Sequence, residues 1–170
     1  MVPITGVGDL AVVVTLSAQV LQILRSAVHS APGEIHDLVR YVEMLDTVLQ
    51  SMRSALEDHG EIPPQRANVM CSLELVLRRC EDTLVGLRTI GDEYGQVLRT
   101  SNAVPPDEDS RCRLWQDALN RGFLRLKWPT TSDLTAELCT RINQHFTALN
   151  VTTSALQMFA PLCPSLVKFF

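Results

Sequence analysis

The stretch from Gly8 to Val28, GDLAVVVTLSAQVLQILRSAV, constrains the fold most, because no charge falls between Asp9 and Arg25 and it is apolar on every side. At about 100° per residue, Leu10, Val13, Val14, Leu16, Val20, Leu21, Ile23 and Leu24 spread over more than one face. Gly8, Ala11, Thr15 and Ala18 form a stripe of small residues beside them. A helix of this kind is expected to avoid water, as the central helix of a bundle, as a membrane-entering segment, or as each in two different states. Leu10 to Leu24 would span roughly 22 Å at about 1.5 Å per residue, short of a hydrocarbon core of about 30 Å, so a core helix is expected at rest.

A secretory signal has a basic region before its apolar run, whereas the first charge here is Asp9 and no Ala-x-Ala-like site follows. A cytosolic chain is therefore expected. The five cysteines (Cys71, Cys80, Cys112, Cys139 and Cys163) are odd in number and form no Cys-x-x-Cys pair, which points to buried free thiols rather than a disulfide framework or zinc site. The chain has 170 residues, enough for one domain with a sizeable core, and the expected division is a bundle over 1–160 with a short tail over 161–170. A composition 46% hydrophobic but only 5% aromatic suits packed helices. The net charge of −4 argues against nucleic acid as a partner. Charge is uneven, however: residues 1–65 carry three basic and eight acidic groups, and residues 111–127 carry five basic and one acidic.

The helical pattern continues after a turn at Ser30-Ala31-Pro32-Gly33. Ile35, Leu38, Val42, Leu45, Leu49, Met52 and Leu56 alternate spacings of three and four, a heptad seam. Val39 and Val48 widen it, which favours packing within a bundle over a coiled-coil dimer stripe. Beyond a loop at Glu61-Ile62-Pro63-Pro64, a third helix is expected from about Gln65 to Ile90, with Val69, Leu73, Val76, Cys80, Leu84 and Leu87 inward and Gly91 or Gly95 weakening it. Thr100 to Ser110 reads as an exposed loop, with Asp107-Glu108-Asp109 as solvated loop or helix N-terminus. Arg111 to Lys127 is a basic amphipathic helix: Leu114, Trp115, Ala118, Leu119, Phe123 and Leu126 make its apolar face, and Arg113, Arg121 and Arg125 line another side. Such a helix either binds an anionic membrane surface or packs on a bundle with its arginines solvated. After Trp128-Pro129, a cap among Thr130, Thr131, Ser132 and Asp133 opens a last helix through Leu134, Leu138, Ile142, Phe146, Leu149 and Leu156. His145 on it is expected to be packed or half-exposed rather than a ligand.

The chain contains no phosphate-loop, dinucleotide-binding, nucleophile-elbow or H-E-x-x-H motif. A non-enzyme is expected, with no catalytic residue, cofactor or metal.

The order of these features resembles a known group. GVGDLAVVVTLSAQVLQIL, the turn SAPGEIHDLV into a leucine heptad, a third long helix, and LRLKWPTTSDLTAELCTRI into the final helix are together similar to the HeLo-like N-terminal domain of fungal STAND receptors and related cell-death proteins. The resemblance covers about Met1 to Met158. It implies an all-α fold, a single bundle of about four to six helices with the hydrophobic N-terminal helix at its centre. It also implies a programmed-cell-death effector, cytoplasmic at rest, that oligomerises with itself and exposes its N-terminal helix to target or permeabilise the plasma membrane. Anionic lipids and an upstream STAND receptor are the implied partners; Arg113, Arg121 and Arg125 are expected as lipid-headgroup contacts from the basic amphipathic pattern rather than from a family motif. Asp9 departs from this scheme, since a carboxylate is costly to insert, although less so near the interface. The chain is expected to be an excised effector domain or a small stand-alone executor. The competing expectation is a soluble signalling adaptor that acts by homotypic or heterotypic helix packing while its first helix stays in the core.

Overall fold

A computed structural model describes residues 5–28, 33–58, 67–100, 107–128 and 133–158. The turn at Ser30-Ala31-Pro32, the loop at Glu61-Ile62-Pro63-Pro64, the loop 101–106, the cap candidates Thr130 to Ser132, Cys163 and the tail SLVKFF lie outside them.

The described residues form five helices and no strand: α1 (Thr5–Val28), α2 (Gly33–Asp58), α3 (Ala67–Thr100), α4 (Glu108–Arg125) and α5 (Leu134–Met158). The chain is an all-α bundle. The heptad seam of α2 explains its packing: Ile35, Leu38, Val42, Leu45, Leu49 and Met52 are inaccessible and Leu56 is nearly so. Around that seam α1 packs on α2 and α3, and α5 closes the ring by packing on both α2 and α3. The shorter α4 lies outside the ring, against α3 and α5. Side-chain pairs give the directions. Ser17 and Arg25 of α1 meet Asp46 and Glu43 of α2, so these helices run antiparallel. Gln19 and Ile23 of α1 meet Arg88 and Gly91 of α3, so these run parallel.

Two boundaries differ from the sequence expectation. The third helix does not weaken at Gly91 but continues to Thr100, burying Ile90 and Tyr94. Gly91 is there because α1 comes close: a Cβ on it would sit 2.7 Å from Cγ2 of Ile23. A side chain on Gly122 of α4 would likewise collide with Ile90 of α3. Contact distance between helices, rather than helix ending, is what these glycines serve. The fourth helix begins three residues before Arg111, with Asp107 as its N-cap accepting from the Ser110 amide at 3.1 Å. Glu108 and Asp109 fill its first turn, where acids favour the dipole. The hydrogen bond from Ser110 also holds the exposed Asp107 carboxyl below its ordinary pKa.

The Lys127-Trp128 junction has a mechanical explanation. Trp128 N–H donates to the Phe123 carbonyl at 2.9 Å and Lys127 N–H to that of Leu124 at 3.2 Å, the two bonds of a Schellman motif. Lys127 occupies the left-handed position, with φ of 54°, which glycine usually takes. The apolar contact that accompanies such a stop is an edge-to-face pair, with the rings of Phe123 and Trp128 5.2 Å apart.

Replacing Gly122 by Ala should lower stability by about 1–3 kcal/mol through overpacking against Ile90. Gly95 meets nothing within 4 Å, so Gly95→Ala should raise stability by about 0.5–1 kcal/mol. Urea denaturation of the two variants checks both signs.

Candidate functional site

The candidate site is α1 and its seat. Of the eight large apolar residues singled out in it, Leu10, Val13, Val14, Leu16, Val20, Leu21 and Leu24 are buried, and Ile23 is half-buried against Gly91. The other side of the helix reaches water. Val12 is 52% exposed, and Thr15, Ala18, Gln19 and Gln22 share that exposure, with Ala11 half-buried beside them. The expectation that no face of this helix meets water is thus corrected: less than half of Asp9–Ser26 is buried, 44% of it. The exposed side is tolerable because, Val12 apart, its residues are small or polar, so little apolar area faces solvent. Gly8 lies within α1, but its surroundings are outside the described side chains. Asp9 is half-exposed near the start of the helix.

Polar ties fix α1 in register, and sequence reading missed the main one. Ser17 is fully buried, and its hydroxyl bonds the Asp46 carboxylate of α2. That hydroxyl has one proton to share between Asp46 and the Val14 carbonyl, 2.9 Å away. Gln50 Nε2 donates to the other Asp46 oxygen at 2.6 Å. A Ser in an uncharged helix and an Asp in a leucine seam are each unremarkable; only the antiparallel register of α1 and α2 makes them a pair. Closer to solvent, Arg25 Nη2 lies 2.7 Å from Glu43, and Arg88 donates to Gln19 Oε1 at 3.0 Å. Such exposed ties contribute about 0.2–1 kcal/mol each, so apolar burial does most of the holding.

Arg113, Arg121 and Arg125 are all exposed on α4, as the amphipathic pattern implied. They do not form one free cluster. Arg125 Nη1 lies 2.6 Å and Arg121 Nε 3.5 Å from the Glu93 carboxylate of α3, which is mostly buried. The contact is ionic, without hydrogen-bond alignment. Glu93 offsets part of the charge available to any anionic partner and clamps α4 onto α3.

The described thiols are free, but only one of them is buried. Cys80 is buried, which pushes its thiol up to about 12. Cys139 is half-buried, and burial followed by the Asp37 and Asp133 charges raises it to about 11. Cys71 is exposed and Cys112, like Cys139, half-buried, which corrects the expectation of burial for those three. His145 is half-buried, with Nε2 2.8 Å from Thr83 Oγ1. Burial, then the positive charges of Arg141 and Arg79, hold its pKa below the ordinary 6.5.

With this geometry in hand, no protein family, curated protein or solved structure matches the chain.

Ser17→Ala should cost about 1–3 kcal/mol by leaving Asp46 short of a partner, read as a lower urea midpoint with unchanged slope. A second expectation concerns acid. Because folding depresses the His145 pKa, the unfolded chain binds the proton first, and stability falls as pH drops from about 6.5 through the folded value. His145→Gln should flatten that part of the stability-pH curve relative to the parent chain.

Proposed function

We propose that this chain is a non-enzymatic, membrane-acting effector of the HeLo-like kind, which rests as a cytoplasmic bundle and acts when self-association frees α1. The observation that carries this reading is the position of α1. Among the described residues it is the one helix long and apolar enough to cross a membrane, and it packs mainly on two neighbours at the edge of the ring. Its outward stripe of Ala11, Thr15 and Ala18 is available to helices of other copies, and small residues of this kind allow close packing in lipid.

The energetics require a trigger. Seven Leu and Val side chains of α1 are buried, each worth about 1.5–3 kcal/mol before the entropy of ordering is counted. Freeing α1 thus removes a large part of what holds folded a domain only about 5–15 kcal/mol stable. Spontaneous release is therefore negligible, and the cost must be offset by clustering, for example by an upstream receptor, and by burial of the same side chains in anionic bilayer. Arg113 contributes headgroup attraction directly, with Arg121 and Arg125 doing so in competition with Glu93.

The test is liposome dye release by the chain fused to an inducible oligomerisation module, with and without anionic lipid. Leu10 is inaccessible, so Leu10→Glu would unfold the bundle. Ala18→Glu is the better probe: it lies on the exposed side of α1 in the middle of the Asp9–Ser26 span, where a charge in an inserted helix costs about 2.5–3.5 kcal/mol. Leakage should require clustering and anionic lipid and be lost in Ala18→Glu with its thermal melt unchanged. It should persist in Leu124→Glu, a change at an exposed position on α4. No leakage from the clustered parent chain would overturn the reading in favour of a soluble adaptor.

A further inference from the structure

Between α3, α5 and the turn after α4 lies an open cleft of about 340 Å³ that α1 does not line, near the lower end of the range for small-molecule sites, about 300–1,000 Å³. Trp128 forms one wall. The Schellman stop sets its backbone, and its ring lies so close to α3 that a Cβ on Gly86 would sit 2.5 Å from it. Arg141 of α5 is held in place from two sides: its guanidinium stacks over the Trp128 ring, 4.8 Å from the centroid, and its Nε bonds Glu137 at 2.9 Å. Arg79 of α3 also lines the cleft, is exposed, and makes no side-chain hydrogen bond or ion pair among the described residues.

Between these two cations sits a polar pair. Thr83 Oγ1 lies 2.8 Å from His145 Nε2 and 3.1 Å from the Arg79 carbonyl, so its single proton is shared between these two neighbours according to the His145 tautomer. Burial and then the guanidiniums of Arg141 and Arg79 disfavour a charge on this ring, while Asp82 in the same lining and Glu137 on Arg141 offset part of their field. A preformed cleft with an aromatic wall, one immobilised guanidinium and one unengaged guanidinium is complementary to a compact anion.

We propose that this cleft binds a phosphate monoester, held by Arg79 and Arg141 against the Trp128 wall. The planar guanidinium fork matches phosphate oxygens, and a dianion satisfies both arginines at once. Asp82 also lines the cleft, and its carboxylate accepts from a hydroxyl beside the phosphate. A polyol phosphate is therefore favoured over a monoester that carries no neighbouring hydroxyl. The assignment does not rest on the membrane reading, since no residue of α1 takes part.

The experiment follows the ring protons of His145 by NMR across pH, identified by their loss in His145→Gln, while glycerol 3-phosphate is titrated into the full chain. A bound dianion favours the imidazolium, so His145 should titrate at higher pH as the site fills. Arg79→Gln, at an exposed position expected to spare folding, should weaken binding about tenfold or more, the loss expected for one charge-assisted hydrogen bond. A second arm measures co-sedimentation with vesicles containing phosphatidic acid, whose headgroup is a monoester, against phosphatidylserine vesicles of equal charge. A response to glycerol 3-phosphate places the phosphate on a soluble compound. Arg79-dependent binding to phosphatidic acid alone places it on a lipid. Either supports the cleft. Absence of both responses, or undiminished binding in Arg79→Gln, overturns it.

Discussion

An apolar helix without a charge from Leu10 to Leu24 is held in water only if its neighbours cover most of its large side chains. In this chain α2 and α3 do so, and the rest of the architecture follows from that requirement. The heptad seam of α2 supplies one wall, and the unbroken length of α3 supplies the other. Each then has a second face to bury, and α5 fits between them to close the ring. What α2 and α3 leave uncovered is the side of α1 where residues are small or polar. The same helix thereby anchors the core on one side and meets solvent on the other.

Close approach makes this packing possible. Gly91 lets Ile23 of α1 sit on α3, Gly86 admits the Trp128 ring, and Gly122 lets α4 settle onto Ile90. All three contacts involve α3, which touches α1, α4 and α5. Gly86 and Gly91 carry the helix-propensity cost of glycine within α3, about 1 kcal/mol each relative to alanine, and the packing against their neighbours offsets it. The short α4 is then fixed from both ends: Asp107 caps its start, and Trp128 closes its finish by packing on Phe123. Glu93 adds a charge clamp between them through Arg121 and Arg125.

Polar chemistry is divided between two regions of the bundle. Around α1 the buried polar content is small, and the Ser17–Asp46 pair specifies register more than it adds stability. On the α3–α5 side, Arg79, Arg141, Thr83 and His145 converge beside Trp128 in an open cleft. A chain that responds to clustering at one region and to a small anion at the other would have two separable inputs. The α3 helix takes part in both, through Arg88 towards α1 and through Arg79 and Thr83 towards the cleft.

The amino-acid order by itself determined the class of fold. Alternating three- and four-residue spacing gave the inward residues of α2, and helical spacing those of α5, since a helix with one apolar stripe has one stable way to turn it. It also marked α1 as a helix whose large side chains need neighbours, and marked the arginine-bearing side of α4. Tertiary structure decided what periodicity does not encode, namely how each helix is rotated and shifted against the others. That choice placed Val12 and the small stripe outward, turned Gly91 from an apparent helix end into a contact point, and matched Ser17 with Asp46. It also set Glu93 against two of the arginines and gathered the cleft residues from α3, α5 and Trp128. The physical reason is that spacing along a helix is a local property read from one strip of sequence. Partnership between helices depends on volumes and distances that exist only once the helices have docked.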